Sequence, residues 1–338
     1  MPSSPPRPIR VIGAGPAGSA SAISALSAGA AVELIEKSNV PRHKVCGEFL
    51  SPEVGPQLEE LGVWPQFLDA RPARLARMIL HFGRHVSRSR LPERAFGLSR
   101  YQLDGLLLKK AISLGAAPRP ELAPGDPQNS VLACGRYSIA APGERLFGFK
   151  AHFMGPVDDA IEMFFSGGFY VGVGAVEDGI TNVCGMAPDR MLRRHDFDID
   201  ELLLGCEALK DRLRPLERIR RWLISGPMVL GPQWKRPLAP DAYPAAVYPA
   251  GDALGFVDPF TGTGILNALT TGRMAGLAAA QGVAAEKYMA ECRGRLNRHF
   301  MVSELFRRAV DREWLGALAA AIPGEWLFKL TRPPRQYY

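Results

Sequence analysis

Residues 44–48 of the chain (KVCGE) place a lysine, a thiol and a carboxylate within five positions. A thiolate nucleophile needs an electropositive setting, and Arg42 and Lys44 lie close to Cys46 in sequence. A metal site is not predicted, because the 5 cysteines are widely spaced and none forms a C-x-x-C pair. Two hypotheses remain for Cys46: it is a catalytic residue, or it is a small apolar residue in the wall of a cofactor pocket.

The segment upstream of these residues has the pattern of a nucleotide-binding unit. An apolar run at 9–12 predicts a buried strand, and G-x-G-x-x-G follows directly at 13–18. Small helix-compatible residues occupy 19–28, and a second apolar run at 31–35 predicts another strand that Glu36 closes. This strand–turn–helix–strand context makes the glycine motif a specific signal for a dinucleotide.

Each residue of the motif has a physical task. Gly13 permits a tight turn, Gly15 lets a pyrophosphate approach the backbone, and Gly18 lets the helix pack closely on the strand. The helix N-terminus presents free N–H groups to the phosphates, and Glu36 can accept hydrogen bonds from ribose hydroxyls. These features predict FAD or NAD, bound by Gly13, Gly15, Pro16, Ala17, Gly18, Glu36 and Lys37.

A second glycine-containing segment lies in the C-terminal half of the chain. A predicted strand at 246–249 leads to Asp252, where a carboxylate could accept a hydrogen bond from a polyol hydroxyl. Gly262 and Gly264 would let the backbone approach a flat ring, and a helix predicted from 265 to about 282 would point its positive end at that ring. The predicted cofactor contacts here are Gly251, Asp252, Pro259, Gly262, Thr263, Gly264 and Ile265.

The order of these motifs resembles that of the FAD-dependent oxidoreductases of the p-hydroxybenzoate hydroxylase and geranylgeranyl reductase superfamily, to which the flavin-dependent halogenases are related. Residues 251–265 resemble its second FAD fingerprint, and 99–104 (SRYQLD) is similar to a helix start whose arginine, here Arg100, contacts the cofactor. Residues 130–138 (SVLACGRYS) resemble the strand that leads to a glycine near the pyrophosphate. The resemblance implies non-covalent FAD rather than NAD, and NAD(P)H as a transient electron donor.

The resemblance also gives an interpretation of 44–53. Its C-G-E-x-L-S pattern is similar to the reductase branch, in which such a cysteine lies near the flavin ring. This implies that Lys44, Cys46 and Gly47 line the flavin pocket, with Cys46 as the candidate catalytic residue. Glu48 is a candidate to orient Arg100 or a ribityl hydroxyl. Three basic residues could neutralise a pyrophosphate or attract an incoming nicotinamide phosphate: Arg42, His43 and Lys44.

The predicted fold is α/β, and α+β overall: a Rossmann-like FAD-binding domain interleaved with a mostly antiparallel β-sheet substrate domain, followed by C-terminal helices. After a flexible leader at 1–8, the FAD-binding domain is assigned 9–72, 95–138 and 246–283. The substrate domain is assigned 73–94 and 139–245, and the C-terminal helical region 284–338. Strands of the substrate domain are predicted at 147–153, 160–165, 168–176 and 180–186. Its aromatic residues are predicted to line an apolar pocket: Phe153, Phe164, Phe165, Phe169 and Tyr170.

Composition and charge narrow the class of protein. The net charge is +7, but no Lys/Arg block or zinc-finger spacing is present, so nucleic-acid binding is not predicted. No apolar run is long enough to span a bilayer, although the apolar pattern at 314–327 could rest on a membrane surface or cover a substrate channel. The unpaired cysteine pattern predicts a reducing, cytoplasmic location. The sequence does not determine the oligomeric state.

The predicted activity is that of an FAD-dependent oxidoreductase that uses NAD(P)H and acts on a hydrophobic or aromatic small molecule. The Cys-Gly-Glu stretch favours reduction of a carbon–carbon double bond, as in the geranylgeranyl reductase branch. The alternative is hydroxylation of an aromatic or polyketide-like substrate, as in the hydroxylase branch. The halogenase motif W-x-W-x-I-P is absent from the chain. A third hypothesis, from another class, is an FAD-binding sensor without turnover.

Overall fold

The computed structural model describes residues 7–120, 129–136, 145–232, 246–310 and 328. In chain order the strands are β1 (Ile9–Ile12), β2 (Val32–Ile35), β3 (Phe49–Leu50), β4 (Ala73–Phe82), β5 (His85–Gly97), β6 (Ala117–Arg119), β7 (Ser130–Leu132), β8 (Leu146–Met154), β9 (Ala160–Ser166), β10 (Phe169–Ala175), β11 (Ile180–Pro188), β12 (Glu217–Arg218), β13 (Leu223–Met228), β14 (Gly231–Pro232), β15 (Val247–Pro249) and β16 (Gly255–Phe256). The helices are α1 (Pro16–Ser27), α2 (Val54–Glu60), α3 (Trp64–Asp69), α4 (Arg100–Ser113), α5 (Asp189–Arg194), α6 (Ile199–Leu204), α7 (Glu207–Leu213), α8 (Gly264–Ala280) and α9 (Ala285–Val310).

The first sheet is parallel and has the strand order β15-β7-β1-β2-β6. Helix α1 connects β1 to β2 and packs closely on α8, because Gly272 and Gly276 leave no room for a side chain between the helices. A Cβ at Gly276 would lie 2.2 Å from the Ser21 carbonyl oxygen. Since parallel strands present their carboxyl ends at one edge, the turns after β1, β2, β7 and β15 converge there.

The second sheet has the order β12-β8-β11-β10-β9-β4-β5-β3, and β13 also pairs with β8. Its strand pairs are antiparallel except for β4 and β9, so the predicted, mostly antiparallel sheet is confirmed, as is the α/β class. Strand β3 and the end of β5, both from ranges assigned to the FAD-binding domain, belong to this sheet. The division into domains remains a prediction.

Helices α5, α6 and α7 cover the face of the second sheet that is turned away from the first. Their apolar side chains, among them Leu192, Ile199 and Leu209, form one core with Phe149 and Phe164 of the sheet. The opposite face of the second sheet therefore points toward the edge of the first sheet where its turns converge.

The C-terminal region is described through α9, which ends at Val310, and again at Phe328. The apolar pattern at 314–327, with its predicted contact to a membrane or channel, lies outside the described residues, as do most of the leader at 1–8 and the end of the motif at 130–138. Among the described residues, no helix combines the length and the apolar character needed to cross a bilayer.

Candidate functional site

A cavity of about 970 Å³ lies between the carboxyl edge of the first sheet and the open face of the second. Most of the predicted cofactor residues line it. These are Gly13, Gly15, Pro16, Ala17, Glu36, Lys37, Lys44, Cys46, Gly47, Arg100, Gly251, Asp252, Pro259, Gly262, Gly264 and Ile265. The structure therefore brings segments from four distant parts of the chain to a single wall.

Two of the predicted cofactor residues do not line the cavity. Gly18 lies behind it, where an added Cβ would come 1.7 Å from the carbonyl oxygen of Gly13, so its role is to let α1 pack on the turn. Thr263 is fully buried, and its Oγ1 lies 2.9 Å from Oγ1 of Thr261. Both residues shape the wall from behind rather than forming its surface.

The glycine turn after β1 is held by its neighbours. Gly13 has φ +103°, and a Cβ there would lie 2.3 Å from the Ala133 carbonyl oxygen. Gly15 is the residue before α1, and a Cβ there would meet only two flexible side-chain ends, Arg100 Nη2 and Lys44 Nζ, each at 3.7 Å. The helix N-terminus and two cationic groups thus surround the same small space above Gly15.

A buried carboxylate holds these two cations in place. Arg100 donates through Nε and Nη2 to Asp104, at 2.7 and 2.9 Å, and Lys44 Nζ lies 3.1 Å from the same carboxylate. The Asp104 side chain is fully buried. Burial disfavours the charged form of Arg100. The interactions with Asp104, followed by those with Cys46, outweigh this effect and raise the pKa of Arg100 above its ordinary value. Arg100 is therefore a permanent, fixed positive charge in the wall.

The two acidic residues predicted to bind the cofactor differ in their surroundings. The Glu36 carboxylate accepts hydrogen bonds from the N–H groups of Ala14 and Ser38, at 3.0 and 2.9 Å. Asp252 follows β15 and accepts no hydrogen bond from another described residue. Burial raises the pKa of Asp252, and the charges of Arg136, Arg100 and Lys44 oppose that rise.

The stretch that contains Cys46 is fixed by a buried network around Glu48. Its carboxylate accepts hydrogen bonds from the Arg100 backbone N–H, at 2.7 Å, and from the Lys150 ammonium, and it lies 2.7 Å from His152 Nε2. Burial disfavours the charged carboxylate, but His152 and Lys150 outweigh that effect and lower the pKa of Glu48. Glu48 thus positions Arg100, as predicted, but through its backbone rather than its guanidinium.

Cys46 lines the cavity beside this network. Its Sγ accepts a hydrogen bond from the Glu48 N–H at 3.4 Å, and its carbonyl oxygen accepts one from Asn182 Nδ2 at 3.1 Å. The Cys46 side chain also interacts with the Arg100 guanidinium. The thiol therefore lies at the junction of the cofactor wall and the second sheet.

The opposite wall is the open face of the second sheet. The strand register places Leu80, Met163, Gly172, Cys184 and Lys150 in one row across β4, β9, β10, β11 and β8. The first four of these line the cavity. The wall is apolar over most of its width and ends in a lysine.

The predicted aromatic lining is right for two residues and wrong for three. Phe165 and Tyr170 line the cavity, whereas Phe153, Phe164 and Phe169 lie in the core on the opposite face of the sheet. Side chains alternate between the faces of a strand, so Phe164 and Phe165 cannot both face the cavity. Tyr170 also donates to Asp258 Oδ1 at 2.6 Å, which connects the sheet to the turn before α8.

Comparison with solved structures gives the same fold at low sequence identity. The flavin-dependent brominase Bmp2 matches with a TM-score of 0.76 at 17% identity, over 96% of this chain and 92% of that one. A geranylgeranyl bacteriochlorophyll reductase-like protein from Thermoplasma acidophilum matches with 0.72 at 18%, over 98% and 94%. A flavoprotein/dehydrogenase from Cytophaga hutchinsonii matches with 0.69 at 17%, over 95% of each chain.

The chain has the fold of these flavoenzymes. The predicted resemblance is thereby confirmed at the level of the fold. No family model and no curated protein sequence matches the chain.

Within this flavoenzyme fold, sequence reasoning missed several residues that line the cavity or hold its wall in place. Asp104 could have been found, because it stands four positions after Arg100 on a predicted helix. Arg136, which donates to Ser225 Oγ at 2.7 Å, follows the glycine of the motif at 130–138. Lys150 and His152 gave no signal, because their partner Glu48 is more than a hundred residues away in sequence.

Proposed function

We propose that the protein is an FAD-dependent oxidoreductase. The observation that carries this proposal is the convergence of the glycine turn, the Arg100 helix start, residues 44–48 and the second glycine segment on one cavity. Each segment resembles a separate FAD motif, and a chance resemblance would give no reason for the four to meet. The fold of the flavoenzymes named above supports the same reading.

The residues of the cavity fit this cofactor. Gly15 leaves the backbone open beneath Arg100 and Lys44, so a pyrophosphate there would meet a helix N-terminus and two cations. A Cβ at Gly47 or Gly264 would meet no atom within 4 Å, which leaves open space for a flat ring. Asp252 would accept a hydrogen bond from a hydroxyl group of the cofactor. When bound, FAD would supply the redox chemistry, and the protein supplies orientation and charge.

The second sheet supports a hydrophobic or aromatic small molecule as the substrate. Met78, Leu80, Ile161 and Met163 present apolar side chains to the cavity, and Met163 packs against Gly172 of the neighbouring strand. Apolar surroundings with a few fixed polar groups are typical of small-molecule sites. The Tyr170 hydroxyl lies on this sheet, and the Cys46 thiol lines the same cavity.

For the reaction we favour reduction of a carbon–carbon double bond with NAD(P)H as the electron donor. Such a reduction requires a proton donor beside the substrate, and Cys46 lines the cavity where the cofactor wall meets the second sheet. Cys46 is therefore proposed as a catalytic residue, and Cys46→Ser is expected to retain FAD while product formation slows.

The experiment is an absorption spectrum of the purified protein before and after anaerobic addition of NADPH. A flavin spectrum that bleaches supports a nicotinamide-driven flavoenzyme. When air is readmitted with an aromatic substrate, a product that has gained an oxygen atom from O₂ would favour hydroxylation over double-bond reduction, whereas oxygen uptake that yields only hydrogen peroxide would not. A flavin that NADPH and NADH leave oxidised would favour a sensor, and a protein that takes up no FAD on reconstitution would overturn the proposal.

A further inference from the structure

A second, smaller cavity of about 230 Å³ adjoins the main one. It is lined by His43, Lys150, Ala151, His152, Ile219, Arg220, Arg221 and Leu223. His43 and Leu223 line both cavities. The row of side chains across the second sheet also passes from one cavity to the other, because Cys184 in the main cavity is paired with Lys150, which is paired with Leu223 of β13.

Positive charge dominates the small cavity. Among the described residues, no Asp or Glu lines it. Lys150 is paired with Glu48, but Arg220 and Arg221 are exposed and make no ion pair with any described residue. Their loop is fixed by the N–H groups of Ile219 and Arg220, which donate to the His152 carbonyl oxygen at 2.9 and 3.3 Å. The cavity is therefore lined by two arginines that no described carboxylate pairs with, on a loop whose backbone is hydrogen-bonded to β8.

His43 adds an unused polar atom to this cavity. Its ring is stacked on Tyr101, with centroids 5.2 Å apart, and contacts the edge of His152 at the same distance. Its Nδ1 is buried and has no hydrogen-bond partner among the described residues. Burial, followed by the charges of Arg220 and Lys150, lowers the pKa of His43 to about 4. The ring is thus neutral at pH 7 and carries one N–H group.

A metal ion is the alternative occupant. His43, Glu48 and His152 could present three ligand atoms that lie within 4.8 Å of one another. However, the Lys150 ammonium already contacts the Glu48 carboxylate, and Arg220 lies close enough to His43 to lower its pKa. A divalent cation bound there would be repelled by both of these positive charges. The attraction of one carboxylate would not offset that repulsion.

We infer that the small cavity binds a phosphate group. Arginine side chains bind phosphate oxygens through paired N–H groups, and the neutral ring of His43 lines the same cavity. Because the cavity opens beside the site proposed for FAD, the phosphate would belong either to the nicotinamide dinucleotide or to a phosphorylated substrate. That choice of source rests on the proposed function, whereas phosphate binding itself does not.

The test is calorimetric titration of the FAD-loaded protein with inorganic pyrophosphate at constant ionic strength. The double variant Arg220→Gln/Arg221→Gln is expected to bind pyrophosphate at least about tenfold more weakly, the effect of losing one charge-assisted hydrogen bond. Arg84→Gln, on the exposed turn between β4 and β5, lines neither cavity and is the matched control. Equal affinity in the wild type and the double variant would overturn the inference.

A second arm separates the two sources of phosphate. If the group belongs to the electron donor, pyrophosphate raises the NADPH concentration needed for half-maximal anaerobic flavin reduction of the wild type. The double variant should need a higher NADPH concentration than the wild type even without pyrophosphate. If pyrophosphate binds but leaves this concentration unchanged, the phosphate belongs to the substrate. Failure of FAD to bind is recorded separately by flavin absorbance, and it would count against the proposed function and not against the phosphate site.

Discussion

Glu48 and Lys150 form a buried ion pair, although 102 positions separate them in the chain. The relative exposure of each residue is 1%. Because Glu48 also accepts the Arg100 N–H, one carboxylate joins the Cys46 stretch, strand β8 and the start of α4. The shape of the cavity wall beside Cys46 depends on this contact.

Replacing Glu48 is expected to destabilise the fold. Glu48→Gln leaves the Lys150 ammonium buried without a counter-charge, and breaking a buried pair in this way costs about 3–5 kcal/mol. The free energy of unfolding in urea measures the loss. The double variant Glu48→Gln/Lys150→Met removes both charges and should recover much of it. A double variant that is no more stable than Glu48→Gln would mean that the charge pair is not the cause.

The same pair predicts a dependence of stability on pH. The folded pKa of Glu48 is lower than its ordinary value of 4.5, so its stabilising contribution is complete above that pH and is lost as the pH falls through the folded pKa. The difference in unfolding free energy between wild type and Glu48→Gln should therefore be constant near neutral pH and shrink below about pH 4.5. A difference that shrinks on raising the pH instead would assign the effect to another group.

Gly15→Ala is expected to affect FAD binding, whereas Gly18→Ala is expected to affect the stability of the fold. Gly15→Ala adds a Cβ that only flexible side-chain ends meet, so the fold should persist while FAD binding weakens. Gly18→Ala places a Cβ 1.7 Å from a backbone oxygen, so the fold itself should be destabilised. Flavin absorbance per protein and the thermal midpoint separate the two effects. Full flavin content in Gly15→Ala would argue against a pyrophosphate at this turn.

Asp252→Ala is expected to weaken FAD binding without destabilising the fold. The side chain accepts no hydrogen bond from another described residue, so its removal leaves no protein donor unpaired. Loss of one hydrogen bond to the cofactor should weaken FAD binding about tenfold or more. The measurement is FAD affinity by fluorescence, with Asp69→Ala, an exposed residue at the end of α3, as the control. Unchanged affinity would remove Asp252 from the site.

Cys46 should be protected from alkylation by FAD. The thiol lines the cavity, so bound cofactor would block iodoacetamide, slowing the reaction about tenfold or more when FAD is well above its Kd. Cys206 is partly exposed and lines neither cavity, so its alkylation should not change. Mass spectrometry of the two peptides gives both rates from one sample. Equal protection of both cysteines would indicate general stabilisation instead.

The sequence determined the elements whose signals are local. The strand at 9–12, the glycine turn and the helix after it follow each other without a gap, so composition and spacing were enough to predict β1 and α1. The long strands β8–β11 were also predicted to within one or two residues at each end, because their apolar runs are bounded by glycine or proline turns.

Tertiary structure decided which of these residues face the cavity and which partners they have. The face of Phe164 and Phe165 depends on the sheet register, and a shift of one residue would exchange them. Lys150 and His152 meet Glu48, and Arg220 comes close to His43, only because β8 and the loop between β12 and β13 lie beside the Cys46 stretch. Such contacts are made by charge and burial between distant segments, and a spacing pattern along the chain carries no record of them.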